Sequence, residues 1–223
     1  MKPILIVAHA GSMNTPDDSL DSVKIGIELK ADIVEIDIRF NADNIPVLCH
    51  DRLKKDQYYE TVYDAIALLA QTNDIHLNCD MKEMTSPKGL GNLKEIVEHF
   101  NFKDRMYFSG IKNAKAKLLQ KTFPGYKFVT DWTLSMPRIG SKEYIESIVR
   151  LAKASGFMGL NLNYRFVTKM MIDICHEYDI KMYTWTVGEA ADIRRLAEWG
   201  VDAITSRNPA LVWDVVIDKN YLM

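Results

Sequence analysis

The stretch Ile33-Val34-Glu35-Ile36-Asp37-Ile38 decides how this chain folds and where its chemistry lies. Its β-branched residues predict a strand, and successive side chains of a strand point to opposite faces. Glu35 and Asp37 therefore share one face, while Val34, Ile36 and Ile38 share the other. Two acids buried side by side need a partner, because burying an unpaired charge costs several kcal/mol.

Short apolar runs of this kind alternate with helical segments along the whole chain. The predicted strands are 3–9, 32–39, 75–81, 105–109, 126–131, 157–163, 180–187 and 202–205. The predicted helices are 18–30, 60–70, 90–100, 112–122, 142–155, 167–178, 189–198 and 209–217. Such alternation predicts an α/β fold with a parallel sheet, and eight repeats favour a closed (β/α)8 TIM barrel. Without a Pro/Gly/Ser-rich linker, residues 1–223 are expected to form a single domain.

Composition limits the classes of function. The chain has 223 residues and a net charge of −2, which gives no reason to expect a nucleic-acid partner. No apolar run approaches the roughly 18 residues of a membrane span, and Ile4–Ala8 is too short for a signal peptide. The widely spaced cysteines, Cys49, Cys79 and Cys175, are typical of reduced thiols. We expect a cytoplasmic protein; its oligomeric state is not predicted.

A second strand repeats the acidic pattern. In Leu77-Asn78-Cys79-Asp80-Met81-Lys82, Asp80 and Lys82 share one face. Active sites of parallel barrels lie at the carboxyl ends of the strands, so Asp80 should meet Glu35 and Asp37 there. Three carboxylates suit one hard divalent cation, Mg²⁺ or Ca²⁺, and Lys82 can neutralise a substrate anion. The alternative is an internal salt-bridge network.

Two histidines lie near the same predicted end of the barrel. His9 ends the first strand, and His50 follows the turn at Asp43-Asn44, which can fold the chain back over the barrel mouth. Histidine exchanges protons near neutral pH, so the pair can act as base and acid. The structural alternative is assigned to the remaining histidines, which sit at no predicted strand carboxyl end: His76, His99 and His176.

Taken in order, these motifs resemble the glycerophosphodiester phosphodiesterase family. The matching segments are His9-Ala10-Gly11, Pro16-Asp17-Asp18-Ser19, Lys30 to Ile38, Asn44 to Asp51, Asp80-Met81-Lys82, Trp185-Thr186-Val187 and Gly200 to Thr205. The resemblance implies a (β/α)8 barrel that hydrolyses a glycerophosphodiester to glycerol 3-phosphate and an alcohol in lipid metabolism. The resemblance implies a divalent metal on Glu35, Asp37 and Asp80. It implies acid–base catalysis by His9 and His50, with Lys82 on the phosphate and Trp185 lining the substrate pocket.

The sequence departs from the family pattern at several positions. Ala10 replaces an arginine expected to bind phosphate, and Arg39, on the face of Glu35 and Asp37, is predicted to compensate in part. Asp17 and Asp80 replace glutamates. Arg207 stands where the family often has aspartate.

The chain also lacks most of the helical insertion that family members carry after the motif at His50. Only Arg52 to Asp74 separate that motif from the third strand, which predicts an open mouth and loose specificity for the alcohol. Two other functions remain open. One is a phospholipase-D-like lyase that forms a cyclic phosphate, and the other is a catalytically silent barrel that binds a phosphorylated metabolite.

Overall fold

The computed structural model describes residues 4–84, 86–132 and 138–220. The strands are β1 Leu5–Ala8, β2 Ile33–Phe40, β3 Pro46–Leu48, β4 His76–Met81, β5 Met106–Ile111, β6 Lys127–Asp131, β7 Gly159–Asn163, β8 Lys181–Trp185 and β9 Ala203–Ser206. The helices are α1 Leu20–Glu28, α2 Val62–Leu69, α3 Pro87–His99, α4 Asn113–Thr122, α5 Lys142–Ala154, α6 Lys169–Glu177, α7 Ala190–Trp199 and α8 Pro209–Asn220. Apart from β3, each strand and helix agrees with a predicted element to within a few residues. Residue 3, the first residue of the first predicted strand, lies outside the described ranges.

Eight parallel strands close into a barrel, which confirms the predicted fold class. The sheet runs in the order β1-β9-β8-β7-β6-β5-β4-β2, and β1 pairs with β2 to close it. The remaining strand, β3, lies outside the barrel order. It pairs antiparallel with the end of β2 and forms the predicted hairpin. Its turn places Asn44 at φ 65°, in the left-handed region that asparagine tolerates better than most residues.

Apolar residues pack on both sides of the barrel wall. The larger cluster fills the layer between the strands and the surrounding helices. A smaller cluster contains Val7, Ile33, Tyr107, Val129 and Tyr183. Ile33 shares its strand face with Glu35 and Asp37, so this second cluster occupies the barrel interior beneath the acids. The interior thus changes from apolar to polar towards the carboxyl ends of the strands.

Local signals orient the helices as the sequence predicts. The hydroxyls of Ser141 and Thr168 accept hydrogen bonds from the backbone amides of Tyr144 and Met171, so both residues cap helices. The three cysteines are buried and free. Within the described ranges, no helix combines the length and the apolar character that crossing a membrane requires.

Candidate active site

Glu35, Asp37 and Asp80 meet at the carboxyl ends of β2 and β4, and are called the acid cluster below. Asp37 and Asp80 are register partners on the two strands. One carboxylate oxygen from each of the three residues lies within 4.8 Å of the others. Glu35 is 8% exposed and Asp37 is 2% exposed. The three residues selected from the sequence therefore form one group, in which Glu35 and Asp37 are buried and Asp80 is partly buried.

Lys82 is the cation of this cluster. Its Nζ lies 3.1 Å from Oδ1 of Asp37 and 2.8 Å from Oδ2 of Asp80. Burial favours the neutral amine, but the Asp80 and Asp37 carboxylates outweigh it and raise the pKa of Lys82. Lys82 therefore stays charged, and one ammonium faces three carboxyl groups.

Lys82 alone does not neutralise the carboxyl groups of the acid cluster. Burial, reinforced by the charges of Asp37 and Asp80, raises the pKa of Glu35 well above its usual range. Burial also raises the pKa of Asp37 to about 7, although Lys82 opposes the shift. Oδ1 of Asp80 is buried and has no hydrogen-bond partner among the described residues. An all-oxygen set with a free ligand atom fits a hard divalent cation, which would let the acids ionise together.

Both candidate histidines border the acid cluster. An inner cavity of about 250 Å³ is lined by His9, Glu35, Asp37, His50, Asp80, Lys82, Asp131, Asn161, Trp185 and Thr186. A second space of about 520 Å³, the outer cleft, shares His9, Asp37 and His50 with it. Further lining of the outer cleft comes from Ala10, Asp17, Asp18, Arg207 and the segment 51–60.

The geometry of His9 defines its free nitrogen. Nδ1 lies 2.7 Å from the carbonyl oxygen of Ala10. A carbonyl only accepts hydrogen bonds, so Nδ1 carries the proton and Nε2 of the neutral ring keeps its lone pair. Burial lowers the pKa of His9 below 6.5, with a contribution from the nearby Arg207 charge. His9 is therefore neutral at physiological pH and able to accept a proton.

His50 is held by its neighbours at three atoms. Its backbone amide donates to Oδ2 of Asp18 at 2.8 Å, and its carbonyl accepts from Nε and Nη2 of Arg39 at 3.1 and 2.9 Å. Its ring Nδ1 donates to Oδ1 of Asp51 at 2.9 Å. Nε2 is therefore the ring nitrogen left to face a substrate. Arg39 lines neither cavity, so the structure engages its side chain with His50 instead of placing it at the acid cluster.

Comparison with known proteins finds one family model that matches this chain along most of its length. The model described as the glycerophosphoryl diester phosphodiesterase family matches residues 9–99 and 55–211. The chain belongs to this family. The family consists of phosphoric diester hydrolases, so the prediction of such an enzyme is confirmed at this level.

Individual relatives in the glycerophosphodiester phosphodiesterase family are distant but match along almost the whole chain. A glycerophosphodiester phosphodiesterase from Caldanaerobacter subterraneus is 22% identical, with 95% of this chain and 97% of the relative covered. One from Bacillus altitudinis is 23% identical, covering 92% and 94%.

Solved structures in this family share the barrel. A phosphodiesterase from Oleispira antarctica, solved with the product sn-glycerol 3-phosphate, has a TM-score of 0.82 at 17% identity, with 96% of each chain covered. The glycerophosphodiester phosphodiesterase of Thermotoga maritima has a TM-score of 0.73 at 18% identity, covering 96% of this chain and 99% of that one. At these identities the likeness demonstrates the fold.

Two polar residues of the inner cavity were missed by the sequence analysis. Asp131 ends β6, and Nδ2 of Asn161 on β7 donates to its Oδ1 at 2.9 Å. Burial, with the charge of Asp80, raises the pKa of Asp131 to about 7. Asp131 satisfies the criterion that singled out Asp80, a carboxylate at the end of an apolar strand, and could have been found by it.

The other histidines lie away from both cavities. His76 begins β4, at the opposite end of the barrel from the acids. His99 packs against Tyr63 and Phe100, and Nε2 of His176 lies 2.8 Å from the carboxylate of Asp202. These contacts agree with the structural roles expected of them.

The segment after His50 forms part of the rim of the barrel mouth. Residues 51–60 contain no helix and form one wall of the outer cleft. On this wall Tyr58 is 82% exposed, and Trp185 at the end of β8 is 37% exposed. Each cavity therefore has an exposed aromatic side chain in its lining, Tyr58 in the outer cleft and Trp185 in the inner cavity.

Proposed function

We propose that this protein hydrolyses a glycerophosphodiester to glycerol 3-phosphate and an alcohol, using one divalent cation and two histidines. The observation that carries the proposal is the acid cluster, which opens into the same inner cavity as His9 and His50. The curated relatives bear the name of this activity, and the Oleispira antarctica enzyme binds sn-glycerol 3-phosphate.

Glu35, Asp37 and Asp80 would hold the cation, Mg²⁺ or Ca²⁺, through carboxylate oxygens. When bound, such an ion withdraws charge from phosphoryl oxygens and stabilises the negative charge of the transition state. Lys82 supports the same task, because its Nζ donates to Oδ2 of Asp80, lies 3.1 Å from Oδ1 of Asp37 and can also donate to a phosphate oxygen.

His9 is the general base in this proposal. Its Nε2 takes a proton from the attacking hydroxyl, either water or a hydroxyl of the substrate's own glycerol group, and the oxygen forms a bond to phosphorus. The Ala10 carbonyl holds the tautomer that this step requires, because it keeps the ring proton on Nδ1.

His50 is the general acid. The bond between phosphorus and the alcohol oxygen breaks, and Nε2–H of the protonated ring gives its proton to the leaving alkoxide. Asp51 fits this assignment, because its carboxylate accepts from Nδ1 and supplies a negative charge next to the imidazolium. Trp185, at the mouth, would pack against the glycerol or the alcohol group.

Alcohol specificity should be broad. The outer cleft meets solvent along the 51–60 segment, and an exposed wall contacts less of a substrate than an enclosed pocket does. We therefore expect glycerophosphodiesters with different alcohol groups to have similar kcat/KM values.

A metal-by-substrate activity screen tests the proposal. Glycerophosphocholine is incubated with the protein and Mg²⁺ or Ca²⁺, and phosphorus NMR follows the product. The expected product is glycerol 3-phosphate; an accumulating cyclic phosphate would identify a lyase, and no turnover with either ion would identify a silent binder. His9→Ala and His50→Ala should lower kcat by about 100-fold or more, whereas His99→Ala, far from both cavities, should not.

A further inference from the structure

The outer cleft contains a guanidinium group that the two-histidine mechanism does not use. Arg207 follows β9 and lines the cleft together with His9 and His50. Its charge is close enough to His9 to contribute to the lowered pKa of that ring. The neighbouring Ala10 brings no charge to this wall. Arg207 is therefore a cation beside the point where the two histidines would meet a phosphate group.

The position of Arg207 is set by both its backbone and its side chain. Its carbonyl accepts a hydrogen bond from the amide of Met13 at 2.8 Å, which ties it to the loop after β1. Its Nη1 lies 2.6 Å from Oδ1 of Asp17 and 3.5 Å from the carbonyl oxygen of Gly11. Gly11 leaves the space for this ion pair, since a Cβ there would overlap Asp17 and come within 2.9 Å of Nη1.

The ion pair leaves most of the guanidinium available. Among the described residues, the hydrogen bonds of the side chain come from Nη1, so the edge formed by Nε and Nη2 has free N–H groups. That edge has the geometry for a bidentate contact with two oxygens of a phosphate. The pair is also half exposed, at 52% and 61% of the two side chains, so water does not need to be expelled from a closed site before an anion binds.

We propose that Arg207 binds the phosphate group of the substrate and that Asp17 is its positioning residue. A phosphate in the inner cavity would benefit from a second cation, because Lys82 is already shared between Asp37 and Asp80. A phosphodiester held at the acid cluster would have Lys82 on its inner side and Arg207 on the side of the outer cleft. This inference rests on the proposed phosphodiesterase function.

Steady-state kinetics of the metal-loaded enzyme test the proposal. Arg207→Ala should raise KM for glycerophosphocholine by about 10- to 100-fold, the effect of losing a charge-assisted hydrogen bond. Arg207→Lys should recover part of the loss, because an ammonium lacks the bidentate edge. Arg150→Ala, which removes an exposed arginine from the outer face of α5, is the matched control and should leave KM unchanged.

The KM values of Asp17 variants test its role as the positioning residue of Arg207. Asp17→Ala keeps the guanidinium but releases it, so KM should rise less than in Arg207→Ala, and Asp17→Glu should restore it. The double variant Arg207→Ala/Asp17→Ala should have the KM of Arg207→Ala alone, because Asp17 acts through Arg207.

Calorimetric titration with sn-glycerol 3-phosphate separates this inference from the proposed function. Weaker binding to Arg207→Ala than to Arg150→Ala supports the inference even if the wild-type protein turns over no phosphodiester. Equal affinity in both variants, or a fall in kcat with KM unchanged, would overturn the inference and leave the phosphodiesterase activity of the wild type intact.

Discussion

Gly110 leaves the space that Asp80 occupies. A Cβ at position 110 would overlap Oδ1 of Asp80 and lie 2.9 Å from the backbone nitrogen and oxygen of Met81. The backbone of Gly110 is also in the left-handed region, at φ 71°. It stands where the pairing between β5 and β6 shifts register, between Phe108 and Ile111. A glycine on β5 thus determines where a candidate metal ligand on β4 can lie.

Gly110→Ala should therefore damage both stability and metal binding. The left-handed backbone alone costs about 1–2 kcal/mol for a residue with a Cβ, and displacement of Asp80 and Met81 adds to it. Gly200→Ala is the matched control, because Gly200 has φ 84° but nothing within 4 Å of its Cβ. Urea denaturation and Mg²⁺ titration should find both effects in the first variant and only the backbone cost in the second. Equal losses would argue against the contact with Asp80.

The activity should decline on the acidic side as His9 becomes protonated. Burial lowers the pKa of His9, and only its neutral form can accept a proton. On the acidic side, kcat/KM should therefore fall with a midpoint below the ordinary histidine value of about 6.5. A midpoint above 6.5 would contradict the assignment of His9 as the base.

A divalent ion should stabilise the fold through the acid cluster. At 100 times its Kd an ion adds about 2.7 kcal/mol, or roughly 5–10 °C in Tm for a chain of this size. Asp80→Asn should abolish the shift, because it removes one of the three carboxylate ligands. Asp173→Asn, an exposed acid on α6, should keep the full shift. A full shift with Asp80→Asn would place the ion elsewhere.

Much of the fold was readable because parallel strands are buried on both faces. Such strands are continuous apolar runs, and the exceptions, Glu35, Asp37 and Asp80, stand out by their spacing of two. Because active sites of parallel barrels lie at the carboxyl ends of the strands, the sequence also predicts all three acids at one end of the barrel. The family resemblance added the order of the motifs.

Contacts between distant segments were not readable. Asp131 could be singled out as Asp80 was, by its place at the end of a strand, but its contact with Asn161 depends on the pairing of β6 with β7. The reach of Arg207 to Asp17 joins residues 190 positions apart in the chain. Neither follows from periodicity within one strand or helix.

The surroundings of Arg39 at the end of β2 determine which groups its side chain contacts. Alternation places it with Glu35 and Asp37, but at that height β2 leaves β4 and pairs with β3, where Arg39 is the register partner of Val47. The hairpin brings the carbonyl of His50 to the guanidinium. In this geometry the guanidinium contacts the loop that holds a catalytic candidate, and the contact with phosphate stays a prediction.

Arg39→Ala should therefore lower kcat by about 3- to 10-fold and leave KM nearly unchanged. The reason is that Arg39 donates two hydrogen bonds to the backbone of His50, at an exposed position where each contributes modestly, and touches no residue of the acid cluster. Arg39→Lys should recover part of kcat, and Arg194→Ala, an exposed arginine on α7, serves as the control. Steady-state kinetics decide between the two roles. A rise in KM with kcat unchanged would support the phosphate contact predicted from the sequence and contradict the role through His50.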